Sequence, residues 1–165
     1  SIEDIDLENT DEVKEKGPLN WGWVQCILKA IDKKSSWSEA SLKKFTYDVF
    51  LYLTIPAIRE EINEAIKKIL DEDEACVVVG HSLGTVVAYN ILREMPNLKA
   101  CKFITLGSPL GVTAIKKYLK TPIKMPECVR NGWYNAYDER DVVALNALDK
   151  KIFNISPSII NNNKV

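Results

Sequence analysis

The apolar positions change their period once along this chain, near residue 70. Before that point they recur at three- or four-residue steps. Leu19, Trp23, Ile27 and Ile31 form one stripe, following Gly17-Pro18, where proline suits a first helical turn. Leu42, Phe45, Val49 and Leu53 form a second stripe, after the break at Ser35-Ser36-Trp37-Ser38. Thr54-Ile55-Pro56 restarts the chain, and Ile58, Ile62, Ile66 and Ile69 form a third. Arg59, Glu60, Glu64, Lys67 and Lys68 fill its outer face. The spacing predicts three amphipathic helices within 17–70, ended by Asp71-Glu72-Asp73-Glu74.

Beyond that acidic stop the runs become short and continuous. Ala75 to Val79 is the pattern of a strand buried on both faces of a parallel sheet. A helix from Leu83 to Met95 follows, closed by Pro96. Cys101 to Leu106 predicts a second buried strand, Val112 to Leu119 a short helix, Trp133 to Tyr137 a third strand and Lys151 to Ile155 a fourth. Asn161-Asn162-Asn163 has the look of a polar tail or turn. Alternating strand and helix predicts a parallel sheet with right-handed crossovers. Residues 1–16 are acidic and poor in large apolar groups, the composition of a flexible arm. The rest, 17–165, is expected to form one domain with its core in 75–155.

Composition narrows the function classes. The chain has 165 residues, 46% apolar and 27% charged, with a formal net charge of −1. Its mixed charges exclude the basic stripe of a nucleic-acid binder. No apolar run is long enough for a transmembrane helix. Cys26, Cys76, Cys101 and Cys128 lie far apart and form no C-x-x-C pair, so neither a metal site nor a disulfide framework is expected. Reduced thiols and an acidic start without a signal peptide point to a cytoplasmic protein. Since Ser1 rather than Met opens the chain, a processed or partial piece is expected.

The candidate chemistry sits where the first strand meets its helix. Val77-Val78-Val79-Gly80-His81-Ser82-Leu83-Gly84-Thr85 contains G-x-S-x-G between a strand and a helix. A turn this tight forces the central serine into strained backbone angles and leaves room only for small residues two positions to either side. It lifts the Ser82 hydroxyl above the sheet edge, before a helix N-terminus whose free N–H groups favour negative charge. Ser82 is the expected nucleophile and the Leu83 backbone N–H one oxyanion donor. Ala88, on the same helix face as Gly84, is expected to allow close packing on the sheet. His81 is the single histidine. Its neighbouring position directs it away from Ser82, and a triad base arrives from a separate loop, so it is expected to pack around the turn.

Gly80-His81-Ser82-Leu83-Gly84-Thr85 resembles the nucleophile elbow of lipase- and esterase-like α/β-hydrolases. Thr105-Leu106-Gly107-Ser108-Pro109-Leu110-Gly111 is similar to the strand end and turn that follow the elbow helix in that family. Trp133 to Val143 resembles the segment carrying its acid. The resemblance covers about 45–153 and implies a three-layer α/β sandwich with a mostly parallel sheet. It implies Asp141 as the triad acid, with Asp138 as second choice, and a small-molecule or lipid ester as substrate, with no metal or cofactor. The family's base histidine, which follows the acid, is not present, nor is the early strand that ends in His-Gly. The expected fold therefore lacks its first strands and its C-terminal histidine loop. Two readings follow: an ester hydrolase forming an acyl-enzyme on Ser82, its pocket bordered by the N-terminal helices and Trp21, Trp23 and Trp37, or a catalytically incomplete interaction or regulatory module of a larger protein.

Overall fold

The structure is a computed structural model that describes residues 39–138 and 147–163. The expected arm at 1–16, the first helix, Cys26, Trp21, Trp23 and Trp37 lie outside these residues, as does Asp141. Helix α1 spans Glu39–Thr54 and α2 spans Pro56–Lys67, with Pro56 in the first turn of α2. They are followed by β1 (Ala75–His81), α3 (Leu83–Glu94) and β2 (Lys99–Leu106). After a 3-10 turn at Pro109–Gly111 come α4 (Thr113–Lys116), β3 (Trp133–Ala136) and β4 (Ile160–Asn162). The strands lie in the order β1-β2-β3-β4 and every neighbouring pair is parallel. A parallel pair needs a crossover, and α3 supplies the one between β1 and β2.

The sheet register levels the strand ends. His81 pairs with Leu106, Leu106 with Ala136 and Ala136 with Asn162. The residues that follow each strand therefore emerge along one C-terminal edge, where ligands of open α/β sheets bind.

Period-two alternation sorts the strand side chains onto two faces. One face carries Val78, Phe103, Thr105, Trp133 and Asn135 and packs under α3. Trp133 is its centre, 1% exposed, with ring centroids 4.6 Å from Phe103, 5.6 Å from Tyr89 and 5.7 Å from Phe153. The polar groups here are bonded to each other. The Trp133 indole N–H donates to Thr105 Oγ1 at 2.9 Å, Thr105 Oγ1 donates to Asn135 Oδ1 at 2.8 Å, and Asn135 Nδ2 donates to Asn161 Oδ1 at 2.9 Å. This chain of bonds crosses β2, β3 and β4, so sliding any strand would orphan a buried polar group. Helices α1 and α2 extend the α3 layer through a second junction. Tyr52 Oη donates to Asn63 Oδ1 at 3.0 Å and accepts from Asn90 Nδ2 at 3.3 Å. Burial raises the Tyr52 phenol above its ordinary range, which keeps it a donor.

Four sequence expectations change here. Ala75 to Val79 is not buried on both faces: Val77 and Val79 are 55% and 57% exposed. Among the described residues β1 is an edge strand, and no described helix lies over this second face. The expected fourth strand, Lys151 to Ile155, is a set of turns. The Asp149 carboxylate accepts from the N–H groups of Lys151 and Ile152 at 2.9 and 3.0 Å, bending the backbone out of extension. The fourth strand comes instead from Ile160–Asn162, the segment expected to be a tail or turn. It is held by Asn161, whose Oδ1 also accepts from the Leu148 N–H at 2.8 Å. The expected helix Val112 to Leu119 is regular only over Thr113–Lys116 and continues as turns.

Candidate active site

Ser82 sits at the end of β1 with φ 52° and ψ −124°, and among the described residues no other non-glycine residue has a positive φ. A side chain in that region carries strain on the order of 1–3 kcal/mol, which persists only where the surroundings impose it. They do. The Ser82 N–H donates to the Leu106 carbonyl at 3.0 Å, continuing the β1–β2 ladder into the turn. The Ser82 carbonyl accepts from the Thr85 N–H at 3.0 Å, starting α3. One residue thus closes the strand and opens the helix, and the reversal falls on its own φ.

The flanking glycines differ. A Cβ on Gly80 would lie 2.9 Å from both the Gly84 carbonyl oxygen and the Thr85 Cα, so the first turn of α3 descends onto this position. Gly80 is small by necessity. A Cβ on Gly84 would meet nothing within 4 Å. The expectation that Gly84 must be small is therefore corrected: its Cα faces open space. Ala88, on the same face of α3, is partly buried and packs against the core. Gly84 and Ala88 line an apolar groove of about 270 Å³ beside the elbow, with Val79, Leu70, Ile66 and Ile91.

Leu83 is the first residue of α3, so its N–H belongs to the donors that have no partner inside the helix. His81 borders the groove beside the elbow together with Gly80 and Gly84. The alternation of β1 puts it with Val77 and Val79 on the uncovered face, and its side chain is exposed. Asp138 is half-buried just beyond β3, on the same C-terminal edge as Ser82 and two strands away. At 4.7–4.9 Å per strand the separation is roughly 9–10 Å between backbones. Among the described residues, no group of three or more His, Cys, Asp and Glu is placed to hold a metal ion.

Sequence reasoning missed two residues beside the nucleophile. Thr85 Oγ1 donates to the Ser82 carbonyl at 2.7 Å and lies 2.8 Å from Ser108 Oγ. Ser108 also accepts from the Leu110 N–H at 3.3 Å as the cap of the 3-10 turn. Thr85 and Ser108 are 0% and 4% exposed. The small polar residues of Gly107-Ser108-Pro109 were visible as a turn, but nothing in the sequence joins Ser108 to Thr85, 23 positions away.

The model of the lipase (class 3) family matches residues 20–151, most of the chain. The chain belongs to the class 3 lipase family. The elbow, α3, β2 and β3 of this lipase-family chain all fall inside the matched region, and the α/β-hydrolase-like fold follows from it. Comparison with curated proteins and with solved structures gave no match. No helix among the described residues of this class 3 lipase relative is long and apolar enough to cross a membrane.

Proposed function

We propose that this chain carries the nucleophile of a serine ester hydrolase, with Ser82 attacking the acyl carbonyl. The observation that carries the reading is the strained φ of 52° at Ser82, imposed between a strand end and a helix start. Strain of this kind collects at sites where a side chain must be presented rather than packed. Attack forms a tetrahedral oxyanion, which the Leu83 N–H and the positive end of α3 stabilise. Collapse expels the alcohol and leaves the acyl group on Ser82, and water then releases the acid.

Asp141 is the proposed acid that orients the base, and Asp138 is the alternative. Both follow β3 in the sequence, and Asp138 lies two strands from the nucleophile, a separation suited to an intervening imidazole. We do not assign that role to His81, which adjoins Ser82 within the turn and is exposed, whereas a triad base arrives from a separate loop. The base for both steps therefore comes from outside these 165 residues. A small-ester panel on the full-length natural protein tests the reading. Ser82→Ala should abolish turnover, and Asp141→Asn should lower kcat by about a thousandfold or more. A larger loss in Asp138→Asn than in Asp141→Asn would move the acid to Asp138.

The exposed His81, the single histidine of the sequence, favours a second reading: an interaction or regulatory module that retains the elbow without the base. Unchanged ester turnover in Ser82→Ala, or none in the wild type, selects that reading.

A further inference from the structure

The hydroxyl pair beside the elbow has a defined polarity. The Ser82 carbonyl can only accept, so the proton of Thr85 Oγ1 is committed to it at 2.7 Å. Thr85 Oγ1 can then only accept from Ser108 Oγ, 2.8 Å away. Ser108 Oγ in turn accepts from the Leu110 N–H at 3.3 Å. The donors run in one direction: Leu110 N–H, Ser108 hydroxyl, Thr85 hydroxyl, Ser82 carbonyl. Bonds aligned in this way polarise one another, most strongly where water is excluded.

The last acceptor matters because of what shares its plane. The Ser82 C=O and the Leu83 N–H belong to one trans peptide unit, rigid and with the two groups pointing in opposite directions. Holding the carbonyl therefore holds the N–H. A threonine that bonds back to a helical carbonyl is common by itself. Here the same hydroxyl is also anchored to Ser108, on the turn after β2, and both are buried. The Ser82 carbonyl is thereby held by two donors, the Thr85 backbone N–H at 3.0 Å, which sets the start of the helix, and this relay, which ties it to the turn after β2.

We infer that Thr85, anchored by Ser108, is a positioning residue that aims the Leu83 N–H at the oxyanion of the reacting ester. The inference rests on the proposed role of Ser82 as nucleophile. A donor that matters only once negative charge develops changes the chemical step and leaves ground-state binding alone.

The test measures fluorophosphonate labelling at Ser82 in the full-length natural protein, separating the inactivation rate constant from the probe's binding constant. Hydrogen exchange of the Leu83 amide is followed in parallel. Thr85→Val keeps the shape of threonine and removes the hydroxyl. It should lower the inactivation rate constant about tenfold to a hundredfold, with probe binding unchanged. Leu83 exchange should accelerate relative to the rest of α3. Thr85→Ser restores the hydroxyl and should recover both readouts, which also separates positioning from a folding defect in Thr85→Val. Ser108→Ala should fall between Thr85→Val and wild type. Wild-type labelling and exchange in Thr85→Val, or a Thr85→Ser variant as slow as Thr85→Val, would overturn the inference. A wild-type protein that takes no probe at Ser82 overturns the nucleophile reading. In that case a Leu83 amide that still responds to Thr85→Val leaves the tether standing as structure, without a role in catalysis.

Discussion

The two faces of the sheet are built from similar residues and are buried to different degrees, most plainly at β1. Under α3, Phe103 and Trp133 are almost fully buried and their polar neighbours are bonded in a chain across the strands. On the other face Val77, Val79 and Ile160 are 55%, 57% and 61% exposed. Hydrophobicity does not distinguish them, since β1 alternates between the faces with valine on both. What distinguishes them, among the described residues, is whether a helix lies above. The elbow is tied to the covered face: Gly80 lies beneath the first turn of α3, and Thr85 and Ser108 are buried beside it.

Substitutions on the two faces should separate sharply. Trp133→Ala removes the centre of the aromatic cluster and the donor to Thr105, and should cost about 3–5 kcal/mol in denaturant unfolding. Gly80→Ala, whose methyl would meet backbone atoms at 2.9 Å, should cost about 1–3 kcal/mol through forced displacement of α3. Gly84→Ala, with open space at the same distance from Ser82 in sequence, should raise stability by up to about 1 kcal/mol through helix propensity. Val79→Thr on the uncovered face should change stability by less than about 0.5 kcal/mol. Comparable losses in Val79→Thr and Trp133→Ala would mean that the second face is covered in solution. Equal losses at Gly80 and Gly84 would remove the distinction between the two elbow glycines.

The sequence carried the strand, elbow and helix because each left a local signature. The apolar run at Ala75 to Val79, the paired glycines and the stripe from Leu83 onward lie within about twenty residues. The helical period at Val49 and Leu53, and again from Ile58 to Ile66, located α1 and α2 equally well. The face assignment of β1 failed because a continuous apolar run states hydrophobicity, whereas burial depends on what other segments cover. Strand β4 was missed because Ile160, Asn161 and Asn162 have no apolar alternation. Side-chain amide bonds to β3 and Leu148 fix the segment, and those partners are distant in sequence. The Thr85–Ser108 contact was hidden for the same reason. Ser82 itself was legible, since a motif that encodes a tight turn also encodes which residue occupies its strained position.

The most direct test of Ser82 as the presented nucleophile is mass-spectrometric mapping of a fluorophosphonate adduct on the full-length natural protein. The account predicts a single adduct on Ser82, lost in Ser82→Ala and competed by an ester substrate. An adduct on another serine, such as Ser108, with Ser82→Ala still labelled, would contradict it.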